Sequence, residues 1–252
     1  MDFSQPLLVA VVINTVLIAI ALLIPKKLLT PAGYANAWLL GVIVWTAFGW
    51  QAYTTTLFYF FAGSAVTKIG MATKEAYGIA EDRGGVRGPG NVWGSALTGA
   101  LCALGVVVLS GLAPNALSVW RPLLALGFVA SFSTKLSDTT ATEIGKAYGE
   151  RTFLITTLQP VPRGTEGAVS LEGTLAGIGG SIALALVAWV CGLITPYGVG
   201  LCMIAAFIAT TVESLIGATL EGQFGWLTHD LVNIINTTVG ALVAVGLAWL
   251  LK

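Results

Sequence analysis

A polar segment at residues 133–146 holds the most suggestive spacing of chemically active residue types in this chain. An acid and three small residues recur there at offsets of three, four and seven, as Asp138, Ala141, Thr142 and Gly145. On a helix these offsets fall on one face, which leaves space for a ligand or an ion beside the carboxylate. A carboxylate near the end of a membrane span is costly unless it is paired or binds a cation. We therefore expect Asp138 to have a functional partner.

A second polar segment, residues 68–91, combines four cations with six glycines. The cations are Lys68, Lys74, Arg83 and Arg87. Glycine lets backbone N–H groups turn toward an anion, and arginine supplies forked donors. The segment predicts either a phosphate-binding loop or an ordinary solvated connector, whose positive charge would reflect only its side of the membrane. Composition alone leaves both interpretations open.

Polar residues also accompany the later hydrophobic runs. Before one run stand Arg163, Thr165, Glu166 and Gly167, and the last run starts with Asp230 and Asn233. Asp230 is a candidate ligand or, alternatively, a helix N-cap, a position that aspartate favours. Glu213 lies inside a hydrophobic run, where an ionisable residue is either functional or hydrogen-bonded to a neighbouring helix. We expect the single histidine, His229, to be peripheral rather than a general base.

Eight hydrophobic runs must position these segments. Of 252 residues, 56% are hydrophobic and 10% are charged, against about 25% charged residues in soluble domains, so the main solvent is lipid. About 20 apolar residues span a bilayer as a helix, and such runs occur at 7–24, 34–50, 52–67, 92–112, 117–136, 173–194, 197–217 and 231–251. We predict an all-α, polytopic transmembrane bundle of about eight spans that forms one domain over residues 1–252.

The charge distribution predicts how the bundle is oriented. If the N-terminus is outside, ten of the 12 Lys and Arg residues lie in or beside the inner loops, in accord with the positive-inside rule. Most acidic residues lie there too, although that rule does not govern them, so we expect a polar active face on the cytoplasmic side. The net charge is zero, which argues against a nucleic acid partner.

Taken together, the polar segments resemble a known family of integral membrane proteins. The motifs Lys68-x-Gly70-x-x-x-Lys74, Gly78-Ile79-Ala80-Glu81 and Arg83-Gly84-Gly85-x-Arg87-Gly88 are similar to the signature of the family that contains plant and cyanobacterial phytyl-phosphate kinase. The motifs Asp138-x-x-Ala141-x-x-x-Gly145, Thr165-Glu166-Gly167 and Asp230-x-x-Asn233 resemble the superfamily of dolichol kinase, phytol kinase and phosphatidate cytidylyltransferase. Arg163 stands where the prenol kinases have a lysine, and Asp230 and Asn233 are separated where theirs are adjacent.

The resemblance implies a kinase that transfers a phosphoryl group from a nucleoside triphosphate, with CTP favoured by the relatives, to an isoprenoid monophosphate. Phytyl phosphate would become phytyl diphosphate, a precursor of tocopherol and phylloquinone, in a plasma or thylakoid-type membrane. The implied Mg²⁺ ligands are Asp138, Glu166 and Asp230. The other implied catalytic residues are Lys68, Lys74, Arg83 and Arg87, and those implied for nucleotide or phosphate binding are Gly84, Gly85, Gly88, Lys135, Thr142, Gly145, Lys146, Arg163, Thr165, Gly167 and Asn233.

Three other classes of protein remain open on the sequence. A cytidylyltransferase would attack the α-phosphate of the nucleotide and release pyrophosphate. A transporter would use Glu213 on its conduction path, and a lipid-binding protein would have no catalytic activity. The sequence leaves the prenyl chain length, the nucleotide base, the oligomeric state and the membrane undetermined.

Overall fold

The computed structural model describes residues 4–25, 27–220, 224 and 226–251, without the side chains of residues 82 and 83. The α-helices of this part of the chain are α1 (Ser4–Leu23), α2 (Pro31–Phe48), α3 (Trp50–Lys68), α4 (Met71–Ala76), α5 (Pro89–Leu112), α6 (Leu117–Tyr148), α7 (Leu171–Val190), α8 (Pro196–Thr219) and α9 (His229–Leu250). Short 3-10 turns occur at Asp82–Gly85 and Pro114–Ala116.

The predicted helical membrane bundle is confirmed. A long helix lies in each of the eight predicted spans, although α7 ends at Val190 instead of residue 194, and α1, α5, α6, α7, α8 and α9 are long and apolar enough to cross a bilayer. Helices α2 and α3, with 18 and 19 residues, are not among these six. One small departure from an all-α fold is an antiparallel hairpin of β1 (Thr152–Leu154) and β2 (Ala168–Ser170), in which Phe153 pairs with Val169.

The helix of the fifth predicted span, 117–136, extends beyond the apolar run. Helix α6 continues to Tyr148 and contains 32 residues, which corresponds to about 48 Å against a hydrocarbon core of about 30 Å. The polar stretch after residue 136 contains alanine, threonine, glutamate and lysine, which a helix accommodates once it is already formed. The segment that carries Asp138 is therefore helical, as its spacing indicated.

Helix α6 lies at the centre of the bundle and contacts α3, α5, α7, α8 and α9. Its middle section contributes the fully buried side chains Phe128, Val129, Phe132 and Leu136 to the core. These apolar side chains fix α6 in the bundle, so the polar residues one and two turns later have defined positions.

Glycines on α7 set its close approach to α6. A Cβ atom on Gly173 would lie 2.6 Å from the backbone oxygen of Ala141, and one on Gly177 would lie 3.0 Å from that of Ser137. Small residues four positions apart let two membrane helices pack closely. This contact brings α7 against the face of α6 that carries Asp138.

Candidate functional site

Two polar clefts meet at Asp138, at the end of the bundle where α3, α6 and α8 end and α7 and α9 begin. The α7–α8 cleft, of ≈ 190 Å³, lies between α6, α7, α8 and the loop at residues 164–168. The arginine cleft, of ≈ 350 Å³, lies between α3, α6, the start of α9 and the segment that contains Arg87. Both clefts are lined by Asp138, Thr142, Lys146 and His229.

The lysine one turn before Asp138 neutralises its carboxylate. Lys135 Nζ lies 2.5 Å from Asp138 Oδ2 and also donates to Asn233 Oδ1 on α9. Lys135 is only 7% exposed and Asn233 only 3%. Because such polar groups are costly to bury unless they are paired, the three side chains form one buried link between α6 and α9. The predicted common face of α6 is confirmed, since Asp138, Ala141, Thr142 and Gly145 all line the α7–α8 cleft.

A second carboxylate adjoins Asp138. Glu213 of α8 lines the same cleft and lies within interaction range of Asp138, and its Oε2 accepts a hydrogen bond from Asn236 of α9. Two neighbouring carboxylates repel each other unless a proton or a cation lies between them. Glu213 thus belongs to the polar site, and both interpretations offered for it, a functional role and a hydrogen bond between helices, fit this position.

Arg87 forms the far wall of the arginine cleft. Its backbone N–H donates to Leu28 O, and its carbonyl accepts from Thr30 N. Its guanidinium donates to the hydroxyl of Tyr59 at 3.1 Å and lies over the Tyr59 ring. Among the described side chains no carboxylate lies within ion-pair distance of Arg87, so its forked donors suit an anionic ligand.

The loop with the Thr-Glu-Gly motif packs against the C-terminal half of α8. Gly167 has a φ of +73°, and a Cβ atom there would lie 2.6 Å from the backbone nitrogen of Ala218. Only glycine combines that conformation with so close an approach. As a result Thr165, Glu166 and Gly167 line the α7–α8 cleft.

Asp230 lies in the arginine cleft but does not cap α9. Thr228 is the N-cap, and its hydroxyl accepts from Leu231 N at 3.3 Å, so the N-cap interpretation of Asp230 is wrong. A Cβ atom on Gly90 would lie 2.1 Å from Asp230 Oδ2. The carboxylate therefore lies against the first turn of α5, where the helix dipole favours a negative charge.

The three predicted metal ligands do not form one group. Asp138 borders both clefts, whereas Glu166 lines only the α7–α8 cleft and Asp230 only the arginine cleft. Among the described residues no three acidic, histidine or cysteine side chains are close enough to hold a metal. Asp138 and Glu213 are one pair of carboxylates that the structure brings together.

Several predicted site residues do not line either cleft. Lys74 is fully buried, where it pairs with Glu143 and donates to Thr67 O at 2.7 Å. Arg163 donates to Ala147 O at 3.2 Å, and Lys68 is exposed. Gly84 and Gly88 lie beside the clefts without lining them, and the side chain of Arg83 is outside the described part of the chain.

Most of the predicted set does converge. The α7–α8 cleft contains Asp138, Thr142, Gly145, Lys146, Thr165, Glu166 and Gly167. The arginine cleft contains Gly85, Arg87, Lys135, Asp138, Thr142, Lys146, Asp230 and Asn233. Three polar segments that are far apart in sequence therefore meet at one end of the bundle.

Sequence reasoning missed Tyr59, Glu143 and Asn236. Tyr59 and Glu143 line the arginine cleft, and Asn236 binds Glu213. A signal existed for Asn236, because Asn233, Asn236 and Thr237 follow one another at helical spacing on an otherwise apolar helix. Tyr59 carries no comparable signal, since an aromatic residue in a membrane helix is ordinary core.

Comparison with known proteins supplies relatives for this arrangement. The model of the family described as integral membrane protein DUF92 matches residues 14–241. A Synechocystis protein, uncharacterized membrane protein sll0875, is 60% identical over 246 residues, which cover 98% of this chain and 93% of the relative. Protein VTE6, chloroplastic, of Arabidopsis thaliana is 47% identical over 220 residues, 86% of this chain and 64% of that protein.

A more distant relative is the uncharacterized membrane protein MJ0933 of Methanocaldococcus jannaschii. It is 29% identical over 246 residues, which cover 97% of this chain and 96% of that protein. No solved structure matches the chain.

Proposed function

This chain belongs to the DUF92 family of integral membrane proteins, and we propose that it is a prenyl-phosphate kinase. The reaction would transfer a phosphoryl group from a nucleoside triphosphate to an isoprenoid monophosphate. Phytyl phosphate is the proposed acceptor and CTP the proposed donor, as the family resemblance implies. The observation that carries the proposal is the meeting of two polar clefts at the Lys135–Asp138 pair.

The paired clefts suit a reaction with two phosphorylated substrates. Lys146 lines both clefts, and Arg87 and Lys135 line the arginine cleft. Phosphoryl transfer depends mainly on positioning and charge neutralisation, and cations on both sides of Asp138 serve that purpose. We assign the lipid phosphate to the arginine cleft and the nucleotide phosphates to the α7–α8 cleft.

The chemistry needs no activated protein nucleophile. An oxygen of the lipid monophosphate attacks the γ-phosphorus of the nucleotide, and the bond from that phosphorus to the β–γ bridging oxygen breaks. A prenyl diphosphate forms and a nucleoside diphosphate leaves. Because the attacking oxygen is already anionic, the task of Lys146, Lys135 and Arg87 is to hold the two anions together against their repulsion.

The residues at the junction fit a bound Mg²⁺. Magnesium in nucleotide sites typically takes one or two carboxylates, with phosphate oxygens and waters as the other ligands. Asp138 and Glu213 are neighbouring carboxylates whose mutual repulsion a divalent cation would relieve. When bound, the ion would neutralise charge on the donor phosphates, and Lys135 would orient the Asp138 carboxylate.

Product analysis tests the proposal. Purified protein is incubated with Mg²⁺, a set of prenyl monophosphates and each of the four nucleoside triphosphates, and the lipids are then identified by mass. The proposal expects prenyl diphosphate and nucleoside diphosphate. A nucleotide-linked lipid together with free pyrophosphate would identify a cytidylyltransferase instead.

The transport hypothesis has a separate test. Glu213 lines the same cleft as Asp138 rather than a path of its own, so a Glu213→Gln variant should lose phosphoryl transfer. Movement of a solute across proteoliposomes without turnover of nucleotide would favour a transporter and contradict the kinase.

A further inference from the structure

An apolar cavity adjoins the arginine cleft on the side away from the α7–α8 cleft. Its volume is ≈ 350 Å³, within the range of about 300–1,000 Å³ that is usual for small-molecule sites. It lies between helices α1, α2, α3 and α5 and is open on one side, where lining residues such as Ile20 and Phe61 are exposed. Its lining is almost entirely aliphatic and aromatic, with Leu17, Ile18, Leu40, Leu57, Phe60 and Val92 among its walls.

The cavity and the arginine cleft share one wall. Tyr59, Arg87, Asn91 and Ser95 line both. Asn91 and Ser95 are one turn apart on α5, and Arg87 precedes that helix by two residues. A molecule that extends from one space into the other would thus pass polar groups first and an apolar lining beyond them.

The far end of the cavity is closed by a polar contact. Asn14 Oδ1 accepts a hydrogen bond from the Tyr53 hydroxyl at 3.0 Å. A Cβ atom on Gly41 would lie 2.0 Å from the same Asn14 oxygen, so α1 and α2 are in close contact there. Along α1 the lining extends from Ala21 to Asn14, which corresponds to about 10 Å.

We propose that this cavity binds the isoprenoid tail of the lipid substrate while Arg87 binds its phosphate. The inference rests on the proposed function and adds a specific site to it. A prenyl phosphate has an anionic head followed by a hydrocarbon tail, which matches the arginine cleft followed by the apolar cavity. Arg87 has no carboxylate partner among the described side chains. The tail units nearest the head would lie against the apolar side chains of this cavity.

Filling the cavity tests this placement through chain-length selectivity. Ala37 of α2 lines the cavity, whereas Ala35, two residues earlier, is exposed and does not. Ala37→Phe should lower kcat/KM for a C20 monophosphate by at least about tenfold relative to a C5 monophosphate. The phenylalanine ring would occupy part of the cavity, and only the long tail needs that part. The matched control Ala35→Phe should leave the ratio unchanged. An equal loss for both lengths would overturn the inference.

Photolabelling of the unmodified protein gives a measurement independent of turnover and of variant folding. The probe is a C20 prenyl monophosphate with a diazirine at the tail, used in phosphatidylcholine nanodiscs and mapped by mass spectrometry. We expect labels on the cavity-facing residues of α1, α2, α3 and α5, with competition by farnesyl monophosphate and much weaker competition by farnesol. Labels on the outer faces of α7 and α8, or equal competition by farnesol, would contradict the inference.

The two proposals fail in different ways. If the protein phosphorylates prenyl phosphates but the probe labels residues outside the cavity, the tail site is wrong and the kinase stands. If the probe labels the cavity with phosphate-dependent competition but no nucleotide supports phosphoryl transfer, the lipid site stands and the kinase is wrong.

Discussion

Lys135 and Asp138 form an ion pair within one turn of α6, with Nζ and Oδ2 2.5 Å apart, at the point where the two polar clefts meet. The pair is tied to α9 through Asn233. A largely buried charged pair is strongly constrained by its surroundings, because desolvation makes either charge costly on its own. The position of this pair between the α7–α8 cleft and the arginine cleft is the basis of the proposed chemistry.

Asp138→Asn should abolish most of the activity while the protein still folds. The substitution retains the shape of the side chain but removes the charge that faces Lys135 and the proposed cation, so turnover should fall by about 10²-fold or more. The measurement is kcat with detergent-purified protein whose folding is checked by thermal unfolding. The control is Glu75→Gln, which neutralises an exposed acid outside the clefts. Near-normal turnover of Asp138→Asn would remove Asp138 from the reaction.

Lys74 should be important for stability rather than for phosphate binding. Lys74→Met leaves Glu143 buried without its partner, a loss that costs about 3–5 kcal/mol in comparable pairs. Thermal unfolding should show a clear drop for this variant and little change for Lys68→Met, since Lys68 is exposed. The double variant Lys74→Met/Glu143→Leu should recover part of the loss. Full stability of Lys74→Met with a large rise in the KM for nucleotide would show the opposite role.

Arg87→Lys should weaken binding of the lipid phosphate. Lysine keeps the charge but cannot reproduce the forked donors or the stacking over Tyr59, and a hydrogen bond to a charged group is worth about 1.5–3 kcal/mol. The KM for the prenyl monophosphate should rise by about tenfold or more, with the KM for nucleotide nearly unchanged. The exposed Arg151→Lys is the matched control. A selective rise in the nucleotide KM would exchange the assignments of the two clefts.

The close contact of α7 with α6 can be tested with two glycines of the same helix. Gly173→Ala brings a Cβ atom within 2.6 Å of the Ala141 oxygen, whereas a Cβ atom on Gly179 meets nothing within 4 Å. Gly173→Ala should destabilise by about 1–3 kcal/mol, and Gly179→Ala should be neutral or slightly stabilising. Unfolding temperatures measure both, and equal values for the two variants would contradict this packing.

The membrane helices were predictable because a helix that crosses a bilayer needs a continuous run of apolar residues, and such runs are visible in the sequence. Family membership was predictable as well, and it is confirmed by the match over residues 14–241. The spacing around Asp138 indicated a helix, but the end of α6 at Tyr148 could not be predicted, because its polar residues interrupt the apolar run without interrupting the helix. The orientation of the polar end toward the cytoplasm stays a prediction.

The sequence predicted many of the residues at the site, but not which side chains bind each other. Helical spacing was enough to group Asp138 with Thr142 and Gly145. The partners of Lys74 and Glu213 depend on contacts across the bundle, with Glu143 and Asn236 respectively, and sequence distance carries no information about such contacts. For the same reason the division of Asp138, Glu166 and Asp230 between two clefts could not be foreseen.

The most direct test of the proposed kinase follows two labels from one nucleotide. Nucleoside triphosphate labelled separately at the α- and γ-phosphorus is incubated with the purified protein, Mg²⁺ and phytyl phosphate, and the lipid and aqueous phases are counted. The proposed mechanism predicts that the γ-label enters the lipid in a one-to-one ratio with the nucleoside diphosphate formed, while the α-label stays in water. Recovery of the α-label in the lipid would contradict this mechanism. So would the absence of both labels from the lipid with every prenyl phosphate tested.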